Sequence, residues 1–417
     1  MLFNRGRAVE YMDRCGLDAL VATSPTNITY FSDYYCWLDK LFKEYMTRPG
    51  AGTGLTQQFA LFPRHGEPAL VLVPLLAANS LDSWVLDVRS AGGGGFDDSA
   101  PADLPLSERQ QYFLEFARRL DPEATAVGSL AEALADRGLA DGRIGVECDN
   151  LPAAALAGIR ESLPEAAIRD CSNLILLIRM VKSPEELERL RTACRIGEES
   201  ATRVLSGARP GTSTRDMVAE YRALVAQEGA DLDHFAVCVR GLGLSTEPDV
   251  TLLEDDLLYT DYGCVFDCYC SDSGQTLALR EPDAENRARY EGLRDAVAAG
   301  AEAARAGAKA SSVAEAMSGL LEGRRISGSF PHGHGIGLEV RDYPILVPDN
   351  GLRIRDDCVD EPSDLPLETG MVLSLEAGLF TPGAFSFQVE CSFVVTDGGG
   401  EPLSPQDRPD PPVPGLP

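Results

Sequence analysis

The 417-residue sequence predicts an α/β (α+β) protein of two domains. Three observations carry this prediction. The chain is longer than one hydrophobic core ordinarily supports, and its 44% hydrophobic content is that of a globular protein. Residues 1–178 alternate between helix-patterned and short apolar strand-patterned runs, as in a mixed sheet dressed with helices. Residues 179–400 combine long helices with extended apolar runs that fall into adjacent pairs, the pattern of antiparallel hairpins. Residues 401–417 form a Pro-rich tail.

In chain order, Arg5–Cys15 reads as a helix and 19–23 (ALVAT) as a strand. Runs 59–62 (FALF) and 69–74 (ALVLVP) read as strands split by the turn RHGEP. Helical runs at 107–120, 128–138 and 151–163 surround a strand at 143–148 (RIGVEC). Gly92–Leu106, rich in Gly, Asp and Pro, reads as a surface loop. The second domain opens on a helix over Pro184–Leu205. Ser183 is its N-cap, Glu186 completes a capping box, and Pro184 occupies the first helical position. Helices near Thr214–Gln227 and Asp283–Ala306 follow, and the Gly/Pro-rich chain from Gly398 onward reads as a frayed or surface-draped tail.

The net charge of −28 argues against nucleic acid and anionic membrane surfaces as partners. Lys40, Lys43, Lys182 and Lys309 are the only lysines, a composition bias rather than a functional signal. No run approaches transmembrane length and the first residues lack the apolar core of a signal peptide, so a cytoplasmic protein is expected. The 11 cysteines are scattered through apolar segments and read as reduced core residues. Cys264, Cys268 and Cys270 crowd one hairpin but lack the second pair or histidines that a zinc knuckle needs.

The chemistry concentrates in the second domain. Leu257–Gly263 (LLYTDYG) and Tyr269–Leu279 (YCSDSGQTLAL) are strand-like, and Phe266-Asp267 lies midway between Asp261 and Asp272. Pairing about that midpoint makes the two carboxylates cross-strand neighbours, with Cβ atoms about 5 Å apart. Met371–Phe380 and Phe385–Val395 flank Pro382-Gly383, and Glu376 and Glu390 are equidistant from Gly383, so they face each other as well. Like charges directly opposed on a ladder destabilise it. Two such pairs in neighbouring hairpins therefore imply a cation between them. His334, framed by Gly333, Gly335 and Gly337, adds an imidazole. Four carboxylates and one imidazole suit Mn, Co, Fe or Zn, and five donors exceed the needs of one ion, which favours two divalent ions.

These stretches resemble the pita-bread hydrolases, the family of methionine aminopeptidases, Xaa-Pro aminopeptidases, prolidases and creatinase. The matching segments are DYG at 261–263, SDSGQT at 271–276, HGHGIGLEV at 332–340, ETGMVLSLEAG at 368–378 and QVEC at 388–391. The resemblance implies metal-ligand roles for Asp261, Asp272, His334, Glu376 and Glu390, the last bridging the ions. Residues 17–34 (LDALVATSPTNITYFSDY) resemble the amino-terminal domain of the creatinase and Xaa-Pro branch, and 179–194 the entry to its catalytic domain. The implied architecture is a creatinase-like N-terminal domain at 1–178, then a pita-bread domain at 179–400 whose curved antiparallel sheet is flanked by helices. The resemblance also implies a homodimer in which a segment such as 34–56 reaches the partner's site, so Trp37, Lys40 or Tyr45 is expected to shape the substrate pocket of a neighbouring subunit.

The chain departs from its relatives at two places. Peptidases of the family carry a histidine some sixteen residues before the first aspartate ligand; here Leu244-Ser245-Thr246 stands there. They carry another seven residues beyond the GHGIG histidine; here that residue is Arg341. Arg341 stays protonated and donates a fork to carboxylates, so it is expected to anchor an acidic substrate group or steady an oxyanion. Glu376 is expected to shuttle a proton between the attacking water and the leaving nitrogen, His332 to lean into the pocket, and His234 to contact substrate. The expectation is a dinuclear hydrolase of a C–N bond in a dipeptide-like or small amino-acid-derived substrate. A true Xaa-Pro dipeptidase or aminopeptidase, a metal-free creatinase-like hydrolase, a di-iron oxidative enzyme and a non-catalytic binding protein are the alternatives.

Overall fold

The computed structural model describes residues 1–36, 49–50, 56–92, 103–121, 123–149, 151–246 and 249–404. Two compact units divide the chain. The first comprises Met1–Arg179 with Ile354–Asp360, and the second Met180–Arg353 with Glu361–Pro417.

In the first unit, strands β1 (Ala19–Ala22), β2 (Phe59–Pro63), β3 (Ala69–Leu72), β4 (Asp87–Ser90), β5 (Arg143–Val146) and β6 (Ala167–Asp170) form one mixed sheet. Its order is β4-β3-β2-β1-β5-β6. The meander β1-β2-β3 is antiparallel, whereas β5 joins β1 and β6 joins β5 in parallel. Helices α1 (Arg5–Cys15), α2 (Pro25–Ser32), α3 (Glu108–Ala117), α4 (Ala126–Ala135), α5 (Ala153–Ser162) and α6 (Ser172–Arg179) accompany it. The expected helices are present with ends shifted by up to three residues. Helix α2 was not expected, although Ser24 caps it and Pro25 occupies its first turn. Asp356 accepts from Leu174 N at 3.0 Å and Asp357 from Asp170 N at 2.9 Å, so the Ile354–Asp360 excursion supplies acids at the start of α6. A division of the chain at 178/179 does not include that return.

The second unit begins with α7 (Pro184–Gly207), whose capping box of Ser183 and Glu186 is formed as the sequence predicts. Helix α8 (Thr214–Gln227) and strands β7 (Asp231–Val239), β8 (Leu257–Phe266), β9 (Tyr269–Cys270) and β10 (Ser273–Ala278) follow. Then come α9 (Ala284–Ala303), α10 (Ala310–Gly323), β11 (His332–Gly335) and β12 (Asp342–Leu346); β13 (Arg353–Arg355) and β14 (Asp360–Pro362) lie at the two ends of the Ile354–Asp360 segment assigned to the first unit, and β15 (Val372–Thr381), β16 (Phe385–Val395) and β17 (Gly400–Pro402) follow. An antiparallel sheet in the order β12-β11-β15-β16-β10-β8-β7 dominates, with β9 on β8 and β17 on β16. Leu258, Tyr262 and Cys264 of β8 pack with Ile196 and Val204 of α7 and Tyr221 of α8. Side chains alternate along a strand, so Asp261 and Gly263 face the other way. The helices thus take one face of the sheet and leave the acidic positions on the opposite one. The tail expected to fray or drape on the surface from Gly398 pairs as β17 over Gly400–Pro402, because β16 is long enough to offer Phe393–Val395 as a ladder edge.

Candidate metal centre

Sheet register gathers the candidate residues into two adjacent rows on one face. One row runs Ala236, Asp261, Gly274, Glu390, Glu376 and His332 across β7, β8, β10, β16, β15 and β11. Two residues along the strands, the next row begins with His234 opposite Gly263 and ends with Ser374 opposite His334. Asp272 lies in this second row, one residue before Ser273, which pairs with Tyr262. Rows two residues apart project to the same side. Gly274, Gly263 and Ser374 separate the charged positions with small side chains, leaving space above the sheet.

Glu376 and Glu390 face each other as the sequence predicts. Their hairpin turns through Pro382, Gly383 and Ala384, with Gly383 at φ 78°. Asp261 and Asp272 are not opposite each other: Asp261 pairs with Gly274. The turn is centred on Asp267-Cys268, both with positive φ, and Phe266 pairs with Tyr269. A two-residue turn of this kind moves the expected partner by two positions. Because the shift is even, Asp272 stays on the same face and meets Asp261 diagonally.

Two groups of donors converge there. In the first, one ligand atom each from His234, Asp261 and Asp272 lies within 4.8 Å of the others, and the same holds for Asp272, His334 and Glu390 in the second. Asp272 belongs to both. His334 is fully buried; its Nδ1 lies 3.0 Å from the carbonyl of Gly335, an obligate acceptor, which assigns the hydrogen to Nδ1. Among the described residues its Nε2 has no hydrogen-bond partner, and it sits 3.4 Å from Asp272 Oδ2 and 3.9 Å from Glu376 Oε1. A buried lone pair aimed at carboxylates is satisfied by a cation between them and by little else. The residues present therefore fit divalent metal.

Neighbouring groups hold the carboxylates in place. Tyr259 OH donates to Asp261 Oδ2 at 3.0 Å, and Ser374 Oγ to Glu390 Oε1 at 2.8 Å. Gln388 Nε2 donates to both glutamates, at 3.2 Å to Glu376 Oε2 and 3.1 Å to Glu390 Oε2. Burial, together with the charges of Asp272, Glu376 and Asp261, pushes the Glu390 carboxyl well up. Burial pushes Asp272 the same way, but the imidazoles of His234 and His334 beside it outweigh burial and hold this carboxyl at about 2. Glu376 is likewise raised by burial and more strongly lowered by His332.

His332 Nε2 lies 2.7 Å from Glu376 Oε1, and Arg341 Nη2 donates to the same oxygen at 3.1 Å. Both thus stand at Glu376, where His332 was expected only to lean into the pocket and Arg341 to meet an acidic substrate group or an oxyanion. His234, expected at the substrate, turns its Nε2 to Asp261 Oδ1 at 2.8 Å and Asp272 Oδ1 at 3.4 Å instead. Trp37, Lys40 and Tyr45 lie outside the described residues. Sequence reasoning missed Gln388, Ser374, Tyr259 and Asp233 as supporting groups. Gln388, Ser374 and Tyr259 each stand two residues from an acid on the same strand, so period-two alternation was the available signal.

Residues 188–397 match the model of metallopeptidase family M24, and 100–181 match the creatinase/prolidase N-terminal domain. The chain is 30% identical over 272 residues to the Xaa-Pro dipeptidase of Lactobacillus delbrueckii subsp. lactis, covering 62% of this chain and 69% of that protein. It is 29% identical to the Xaa-Pro dipeptidase of Lactobacillus helveticus, with 63% and 70% covered. The solved Xaa-Pro dipeptidase from Bacillus anthracis superposes with a TM-score of 0.71 at 20% identity, covering 97% of this chain and 98% of that one. Among the described residues no helix is long and apolar enough to cross a membrane. With the N-terminal creatinase-type domain followed by the pita-bread domain, the chain belongs to metallopeptidase family M24, a family of hydrolases that use divalent metals.

Proposed function

We propose that this chain is a dinuclear metal-dependent hydrolase that cleaves an amide C–N bond in a small, dipeptide-like substrate bearing an acidic group. The observation that carries this reading is the pair of donor groups joined at Asp272, one of them containing the orphaned Nε2 of buried His334. Asp261, Asp272, His334, Glu376 and Glu390 would hold two ions of Mn, Co, Fe or Zn. When bound, such ions polarise a carbonyl and lower the pKa of water toward neutrality.

The chain's own residues manage the proton and the substrate. His332 Nδ1 lies 3.0 Å from the carbonyl of Phe330, which can only accept, so Nδ1 carries a hydrogen. The exchangeable proton of the pair therefore sits between His332 Nε2 and Glu376 Oε1. Transfer of that proton to the leaving nitrogen, and its replacement from the attacking water, is general acid–base work. Arg341 is 56% exposed and engages Glu376 through Nη2. Its remaining N–H groups bind a substrate carboxylate. A homodimer with Trp37 near the partner's pocket remains part of this reading.

A second reading, cleavage of Xaa-Pro dipeptides, is favoured by the relatives named Xaa-Pro dipeptidase. The departures at 244–246 and at Arg341 favour a different substrate. The test is to load the purified full chain with Mn²⁺ or Co²⁺ and assay Xaa-Pro dipeptides against acyl amino acids with free or amidated carboxyl groups. Expected are hydrolysis abolished by chelation and restored by metal, and selectivity for the free carboxylate. Undiminished turnover in protein stripped of metal overturns the proposal.

A further inference from the structure

The geometry points to His234 as a sixth metal-binding side chain, a nitrogen ligand to the ion shared by Asp261 and Asp272. The inference rests on the dinuclear reading above and adds a residue to it.

Three distances place this imidazole. Its Nδ1 lies 2.7 Å from Asp233 Oδ2. An ionised carboxylate only accepts, so Nδ1 carries a hydrogen and Nε2 points away from Asp233. Nε2 meets Asp261 Oδ1 at 2.8 Å and Asp272 Oδ1 at 3.4 Å, the two carboxylates with which, once deprotonated, it would share an ion. Donors about 2.1 Å from one ion stand roughly 3 Å apart, so these separations match a shared ion. The carboxylate–imidazole–metal sequence is the common way of orienting a ligating histidine.

The backbone is shaped to the same end. The β7–β8 register shifts between Leu232 and His234, which makes Asp233 the extra residue of a bulge. Bulges re-aim side chains beside active sites. Gly263 stands opposite His234, and a Cβ there would lie 2.6 Å from His234 Cε1 and 2.9 Å from Nδ1. The imidazole therefore occupies the space a side chain at 263 would fill. Lying over that glycine, it reaches Asp272 on the far side of β8.

A nitrogen at this position changes which ion is held. Replacing an oxygen or water donor by imidazole moves preference from Mn²⁺ toward Co²⁺. The ion beside His334 and Glu390 is not touched by His234, so the two sites should respond separately.

The experiment is equilibrium dialysis of the purified full chain against Co²⁺ alone and, separately, Mn²⁺ alone, with bound metal counted and the Co²⁺ absorption spectrum recorded. Wild type should bind two Co²⁺. His234→Ala should weaken one of the two by about 10-fold or more, shift the spectrum, and reduce the Co²⁺-over-Mn²⁺ preference of that site. The unaffected second Co²⁺ reports that the fold is intact. Asp233→Ala leaves the imidazole in place but unoriented, and should weaken the same site by about 10-fold. If His234→Ala and Asp233→Ala both bind two Co²⁺ with wild-type affinities and spectrum, His234 is not a ligand and only this inference falls. If wild type binds fewer than two Co²⁺, the dinuclear reading falls with it.

Discussion

Glu390→Gln should stabilise the metal-free protein and weaken the metal-loaded one. Gln388 Nε2 lies within 3.2 Å of a carboxylate oxygen of both Glu376 and Glu390, so those oxygens are no more than about 6 Å apart. Two unit charges at that separation repel by about 3 kcal/mol at an effective dielectric of about 20. Against this, the amide loses one of the two hydrogen bonds Glu390 accepts from Ser374 and Gln388, a loss of about 1 kcal/mol. The net gain is about 2 kcal/mol in chelator at a pH where Glu390 would otherwise be charged. Its folded-state pKa is raised, so between the unfolded and folded values the native parent holds more protons than the unfolded chain. Parent stability therefore falls as pH rises through that window, and the advantage of the variant should grow with pH and vanish near the ordinary carboxylate range. Excess Co²⁺ should reverse the order, since a ligand at 100 times its Kd adds about 2.7 kcal/mol and the variant binds more weakly. Urea unfolding followed by circular dichroism, with chelator and with Co²⁺, measures all three. A chelated variant less stable than the parent at high pH, or equal stabilisation of both by Co²⁺, refutes the reasoning.

Two further outcomes are expected. Arg341→Ala should lower kcat/KM about 100-fold for a substrate with a free carboxylate and little for its amide, while Arg341→Lys, lacking the planar fork, should recover only part; equal losses on both substrates would remove the anchoring role. Lys182 Nζ lies 3.9 Å from Asp342 Oδ2 with both side chains nearly inaccessible, so Lys182→Met should cost about 3–5 kcal/mol in urea unfolding and the double change Lys182→Met/Asp342→Leu should restore much of it.

The candidate site was legible where spacing alone determines facing. Glu376 and Glu390 are symmetric about Gly383, and a tight turn there leaves one register. The capping box at Ser183 and Glu186 is likewise local, within one helical turn. The Asp261–Asp272 pairing was misread by two positions, because Asp267 and Cys268 both adopt positive φ and neither is a glycine that would have marked the turn. The direction of His234 is not a local matter either: it depends on a bulge at Asp233 and on the missing side chain at Gly263, contributed by a neighbouring strand.

The sequence by itself determined the two-domain α/β plan, the acids and the imidazole that form the centre, and the presence of Arg341 beside it, since periodicity, capping and turn chemistry act over a few residues. The tertiary structure alone decided how six strands align Asp261, Glu390, Glu376 and His332 in one row and His234, Asp272 and His334 in the next. Those rows are assembled from segments up to about 150 residues apart, and what sets them is the ladder hydrogen bonding of the whole sheet, a long-range constraint that no local run of side chains encodes.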